Sequence, residues 1–173
     1  MSTFVHRLNT IKQLCALDWM TPSQKHAWAI LQERLTLGDV VNLHGQSGSG
    51  KTFLSWLLAK EQGATYIPTL NALSTMPAIS SLLIIDNQRP DRDAFRTLLT
   101  HLRPQQRQQV VILTQTAVHD DCYKVALHFT PDDRISVQQR LATLAPDLSF
   151  RAGGTLHHLI NPDLPLDTEE PPL

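Results

Sequence analysis

Apolar positions along the chain fall into two rhythms. Short unbroken runs read as strands buried on both faces, and stripes spaced by three and four residues read as helices with one buried side. The first run covers residues 39–44, with Val40, Val41 and Leu43 around Asn42. A brief run follows at 64–67, then the four aliphatics Leu82, Leu83, Ile84 and Ile85. Four large aliphatics in a row cannot be half-exposed, which predicts a central parallel strand ending in Asp86. Val110, Val111, Ile112 and Leu113 mark another buried strand within 108–116, and residues 125–129 a further one. A last short strand is expected at 155–160.

The helical stripes alternate with these runs. Phe4, Leu8, Ile11, Leu14, Cys15, Leu17 and Trp19 predict a short helix within residues 1–20, packed on the rest of the chain or on a partner. Thr21 is a good N-cap and Pro22 suits a first helical position. Ala27, Ile30, Leu31 and Leu35 then form a stripe that Gly38 ends. Residues 53–60 predict the next helix, stopped at Gly63. Residues 69–80 read as a short helix or loop. Phe95, Leu98, Leu99 and Leu102 predict a helix over 91–103. Ile135, Val137, Leu141 and Leu144 give a final helix a buried stripe, from Thr130-Pro131 to Pro146. Strands alternating with helices predict an α/β fold around a mostly parallel sheet. The organisation expected is an N-terminal helical segment at 1–20, one domain at 21–160, and an acidic, proline-rich tail at 161–173. That tail is expected to be disordered. No internal repeat is visible.

Between the first strand and its helix stands Gly45-Gln46-Ser47-Gly48-Ser49-Gly50-Lys51-Thr52. It matches the phosphate-binding pattern G-x-x-x-x-G-K-[ST] at every fixed position, and its flanks are the strand and helix that the chemistry requires. Gly45, Gly48 and Gly50 are expected to take backbone angles that a side chain would forbid. The loop can then turn N–H groups inward around an anion, helped by the positive end of the next helix. Lys51 supplies a point charge for the β- and γ-phosphates, and Thr52 a hydroxyl for Mg²⁺. Asp86, at the carboxyl end of a central strand, is placed to hold the Mg²⁺ shell opposite Thr52. Thr114 or Gln115 ends the next strand at the same edge. Thr114 is the chosen γ-phosphate sensor, with plain strand-end capping as the alternative.

Composition narrows the class. The chain has 173 residues, 42% of them hydrophobic, enough for one domain with a real core. Its net charge of −1 carries no global signal for nucleic acid and none for disorder. A local patch remains: Arg89, Arg92, Arg96 and Arg103 could contact a phosphate backbone, reach a neighbouring subunit's nucleotide, or form a solvated face. Cys15 and Cys122 form no metal or redox spacing and read as free thiols of a reducing compartment. Adjacent His157 and His158 on a strand would point to opposite faces, a poor metal site. No segment approaches the ~20 apolar residues of a membrane span, and the N-terminus lacks a signal-peptide run. A cytoplasmic protein is expected.

With both motifs and the polar strand end in place, residues 22–145 resemble the P-loop NTPases of the AAA+/ASCE type. The entry to the loop looks like ATPase domains of loader, initiator and transposition-helper proteins. The resemblance implies a three-layer αβα sandwich, ATP and Mg²⁺ as ligands, Gly45 to Thr52 as the phosphate site, Asp86 on the metal, and Thr114 as sensor. It also offers Gln24 as an adenine reader, against the plainer reading of an exposed helix-start glutamine. The chain departs from the pattern at Asn87, where a glutamate usually polarises the attacking water. An amide can orient a water but cannot take its proton, so slow hydrolysis, a base from elsewhere (Asp91 and Asp93 lie nearby) or a partner's contribution is implied. No separate helical lid domain is expected, and a second sensor arginine has only Arg134 and Arg140 as candidates.

The function expected is an ATP-binding, slowly hydrolysing subunit. It would switch its affinity for a larger partner in replication, repair, transposition or phage defence, alone or in an oligomer. The alternatives are a small-molecule kinase and a degenerate ATPase fold that binds nucleotide only for stability.

Overall fold

The computed structural model describes residues 11–13, 15–67, 81–86, 109–118 and 122–144. Its centre is one sheet of five parallel strands: β1 (Val40–His44), β2 (Thr65–Ile67), β3 (Leu82–Asp86), β4 (Gln109–Thr114) and β5 (Tyr123–Ala126). They lie in the order β2-β3-β4-β1-β5. The strand that enters the glycine loop and the strand that ends in Asp86 are therefore not neighbours. β4 lies between them, pairing Val40 with Val110 on one side and Asp86 with Leu113 on the other.

Both faces of this sheet are buried, which explains the unbroken aliphatic runs. Val41, Leu43, Leu82, Ile84, Val111 and Leu113 face one side and are at most 1% exposed. They form a single core with Leu31, Leu35, Leu54, Leu57 and Leu58 from two helices, α1 (Pro22–Thr36) and α2 (Lys51–Gln62). Leu83, Ile85, Val110 and Ile112 point the other way and are just as buried. A parallel sheet with two buried faces is the architecture of the expected three-layer sandwich. Helix α3 (Pro131–Leu144) packs on α1. Among the described residues there is no second domain.

The helix ends follow local chemistry. Thr21 caps α1 in a reciprocal box: its Oγ1 accepts from the Gln24 N–H, and Gln24 Oε1 accepts from the Thr21 N–H. Pro22 occupies the first turn. Gly38, just past the helix end, has φ +81°, and Gly63 ends α2 at φ +65°. The Arg34 guanidinium lies 3.9 Å over the Tyr123 ring, tying the end of α1 to β5.

Residues 11–13 are helical, the chain is extended at Ala16, and the Leu17–Trp19 segment is a separate 3₁₀ turn. Residues 1–10 of the expected N-terminal helix lie outside the described residues, and Cys15 is buried in the core. Three expectations need correction. β5 begins earlier than expected and stops at Ala126. Beyond it the Leu127 N–H bonds to the His44 carbonyl outside any strand. Ile135 is 53% exposed, because α3 rests on α1 at the margin of the sheet rather than on the core. Finally, Gln24 is 3% exposed, not an exposed helix-start residue, because its side chain closes the capping box.

Candidate phosphate-loop site

β1 delivers the chain to the sheet's carboxyl edge, where two main-chain bonds fix the start of the loop. The Gly45 N–H donates to the Thr114 carbonyl at 3.2 Å, and the Leu127 N–H donates to the His44 carbonyl at 2.7 Å. The loop is thus held from β4 on one side and from the chain leaving β5 on the other. Gly48 at φ +75° and Gly50 at φ +97° need the left-handed region, as expected. Gly45 does not: its need is space. A Cβ there would meet the Leu127 carbonyl oxygen at 2.1 Å and Ser49 Oγ at 3.0 Å.

The loop then enters α2 at Lys51. Among the described residues no acceptor takes the N–H of Gln46, Ser47, Gly48, Gly50, Lys51 or Thr52. The first N–H groups of a helix have no partner within it, so α2 and the loop before it present donors to a ligand. Lys51 Nζ folds over the same loop. It donates to the carbonyls of Gly45 at 2.5 Å and Gln46 at 2.9 Å, and lies 3.4 Å from Ser49 Oγ. Burial holds its ammonium below the usual lysine range, and the charge of Asp86 partly offsets this. Thr52, on the first turn of α2, is exposed.

Asp86 is half-buried at the tip of β3. Its Oδ2 accepts a hydrogen bond from the Tyr66 hydroxyl at 2.5 Å. Burial, and then the bond and charge of Asp86, hold the Tyr66 phenol proton far above its ordinary range. Nothing in the spacing of residues 64–67 singled out Tyr66. The contact comes from the β2–β3 register, a long-range feature.

Thr114 is fully buried. Its Oγ1 accepts from Asn42 Nδ2 at 2.8 Å and donates to the Thr116 carbonyl at 2.6 Å. The hydroxyl is therefore engaged in closing the end of β4, while Gln115 next to it is half-exposed. Gln24 likewise has its Oε1 committed to the start of α1. Arg140 pairs with Asp18 at 3.4 Å. Asn87, Asp91, Asp93, the arginines at 89, 92, 96 and 103, His157, His158 and the tail lie outside the described residues.

Missed by spacing, besides Tyr66, is His44 at the loop's entrance. Burial, and then the charges of His128, Lys124 and Lys51, hold its imidazole below the usual range. It is one of several basic groups gathered at this edge of the sheet.

The donor set suits a phosphate: undonated N–H groups, a lysine, and a glycine, Gly45, where a Cβ would intrude. A hydroxyl and a carboxylate at Thr52 and Asp86 suit a hard divalent cation. Among the described residues no cluster of three or more His, Cys, Asp or Glu could hold a metal alone, so a cation here would need the ligand's own oxygens.

No protein-family profile and no curated protein sequence matches this chain. Solved structures do. DnaA from Aquifex aeolicus bound to AMPPCP is similar over 76% of this chain and 55% of its own, at 16% identity and a TM-score of 0.51. A structure described as the replication initiator DnaA bound to AMPPCP and single-stranded DNA aligns over 80% of this chain and 58% of its own, at 14% identity and a TM-score of 0.51. The RuvB Holliday junction branch migration motor of Thermotoga maritima aligns over 82% of this chain and 57% of its own, at 17% identity and a TM-score of 0.57. The chain spans little more than half the length of each. DnaA and RuvB are AAA+ P-loop ATPases, and the fold of this chain is theirs.

Proposed function

We propose that the chain binds ATP with Mg²⁺ at the phosphate loop and acts as a nucleotide-dependent switch for a larger protein partner. The observation that carries this reading is the arrangement of Lys51: its ammonium donates to the Gly45 and Gln46 carbonyls across a loop whose N–H groups, those of Gly45 and Ser49 apart, have no acceptor among the described residues. Gln46 to Thr52 would cradle the phosphates, Lys51 would neutralise their charge, and Thr52 and Asp86 would hold the cation. Bound Mg²⁺ would draw charge off the terminal phosphates. Thr114 would act as the sensor through the main-chain bond from Gly45 to its carbonyl and the turn that its hydroxyl closes, with Gln24 beside the base.

Slow turnover follows from Asn87, which offers no carboxylate to take a proton from water. A DNA transaction is supported by the structural neighbours, a replication initiator bound to AMPPCP and single-stranded DNA and a Holliday junction branch migration motor. Contact with DNA would use the arginines at 89, 92, 96 and 103. A switch requires only that nucleotide be bound differently in two states.

The test is steady-state ATP turnover by the purified chain, alone and with single-stranded DNA. The expected result is tight binding with turnover below ~1 per minute, far under ordinary enzyme rates. Fast turnover by the isolated chain would overturn the switch reading and point to an independent motor.

A further inference from the structure

Tyr66 has so far been given no role. It sits in the edge strand β2, opposite Ile84 of β3. Ile84 and Asp86 are two positions apart and share a face of the sheet. A tyrosine is long enough to reach such a diagonal neighbour on the next strand. Tyr66 does so, giving its hydroxyl proton to Asp86 Oδ2 at 2.5 Å while its ring packs on the core that contains Leu54 and Leu58 of α2.

We propose that Tyr66 is the positioning residue for the Mg²⁺-holding carboxylate of Asp86. This rests on the nucleotide reading above. A phenol has one proton to give, and here it goes to Oδ2. The bond stops the carboxylate from turning about its Cβ–Cγ axis and leaves Oδ1 for the cation's shell. Without the phenol, the carboxylate is free to turn about that axis. The cation would then lose a fixed oxygen, while Lys51 stays on the Gly45 and Gln46 carbonyls. Residues that orient a ligating carboxylate commonly matter nearly as much as the ligand itself.

The experiment measures the dissociation constant of ATP in Mg²⁺ and in EDTA for the wild type, Tyr66→Phe, Asp86→Asn and the double variant. Phenylalanine keeps the ring and removes only the donor. The readout is the ratio of the two constants within each variant, from which any loss of folded protein cancels. Tyr66→Phe should lower the ratio by about tenfold, leave Mg²⁺-free affinity within about twofold, and add nothing once Asp86 is changed. An unchanged ratio, an equal loss with and without Mg²⁺, or an additive effect in the Asp86→Asn background would overturn the role of Tyr66. A wild type that binds no ATP overturns the nucleotide reading itself. A wild type whose Mg²⁺-strengthened binding survives Tyr66→Phe overturns only this inference.

Discussion

Asn42 Nδ2 donates to the Thr114 hydroxyl at 2.8 Å, joining the strand that enters the glycine loop to the strand beside it. The same amide donates to the Ile112 carbonyl at 3.1 Å, and its Oδ1 accepts the Val118 N–H at 3.1 Å. A fully buried asparagine thus has three partners, and they hold the polar turn after β4 against β1. Asn42→Ala leaves the Val118 N–H and the Thr114 hydroxyl short of a partner in a dry site. The expected loss is about 2–4 kcal/mol of stability, read as a lower denaturant midpoint with little change in slope. A loss under about 0.5 kcal/mol would mean that water replaces the amide at no cost.

Gly45 is required for a different reason from its neighbours. A methyl group there would strike the Leu127 carbonyl at 2.1 Å, and that carbonyl is backbone, with no rotamer to move to. Gly45→Ala should therefore push apart the β1 end and the chain leaving β5, with phosphate affinity lost beyond the change in stability. Gly38→Ala is the control. Nothing lies within 4 Å of its missing Cβ, but its φ is +81°, so it should cost only about 1 kcal/mol of stability from the strained angle. Calorimetric ATP titration together with thermal unfolding of both variants separates collision from strain.

Asp133 links the starts of two helices. It is 1% exposed, and it accepts the Ser23 N–H at 2.9 Å through Oδ1 and the Thr130 N–H at 2.8 Å through Oδ2. Burial alone would raise its pKa, but the bonds from Thr130, Ser23 and Thr21 outweigh burial and lower it. A carboxylate lowered on folding adds stability that is fully present above the unfolded value of about 3.9 and is lost as pH falls through the folded value. Asp133→Asn should cost stability at pH 7 and flatten the fall in stability below pH ~4. Urea midpoints from pH 7 down to the acid limb check this. An unchanged acid slope would show that the lowered carboxyl lies elsewhere.

Much of the site's local chemistry was legible in residue order. Strand, loop and helix around residues 45–52, the cap at Thr21-Pro22, the stop glycines at 38 and 63, and the aliphatic run into Asp86 are all set by near neighbours. The contacts that link the elements were not. Tyr66 reaches Asp86 only because β2 pairs with β3 in one register. Asn42 reaches Thr114 only because β4, later in the chain by 72 positions, inserts beside β1. Ser23 meets Asp133 across 110 positions. Each is a pairing of distant segments that no local spacing encodes. Ile135 failed for the converse reason: its stripe has helical spacing, but the surface that α3 covers is decided by where α1 lies.

The central claim is that Lys51 and the loop it caps hold the phosphates of ATP. Calorimetric titration of ATP into the wild type and into Lys51→Ala, each with and without Mg²⁺, tests it most directly. The account predicts one saturable site in the wild type, strengthened by Mg²⁺. It predicts affinity at least about tenfold weaker in a Lys51→Ala protein that remains folded, since a charge-assisted contact to phosphate is removed. A wild type that binds no ATP, or a Lys51→Ala protein that binds it equally well, would contradict the account.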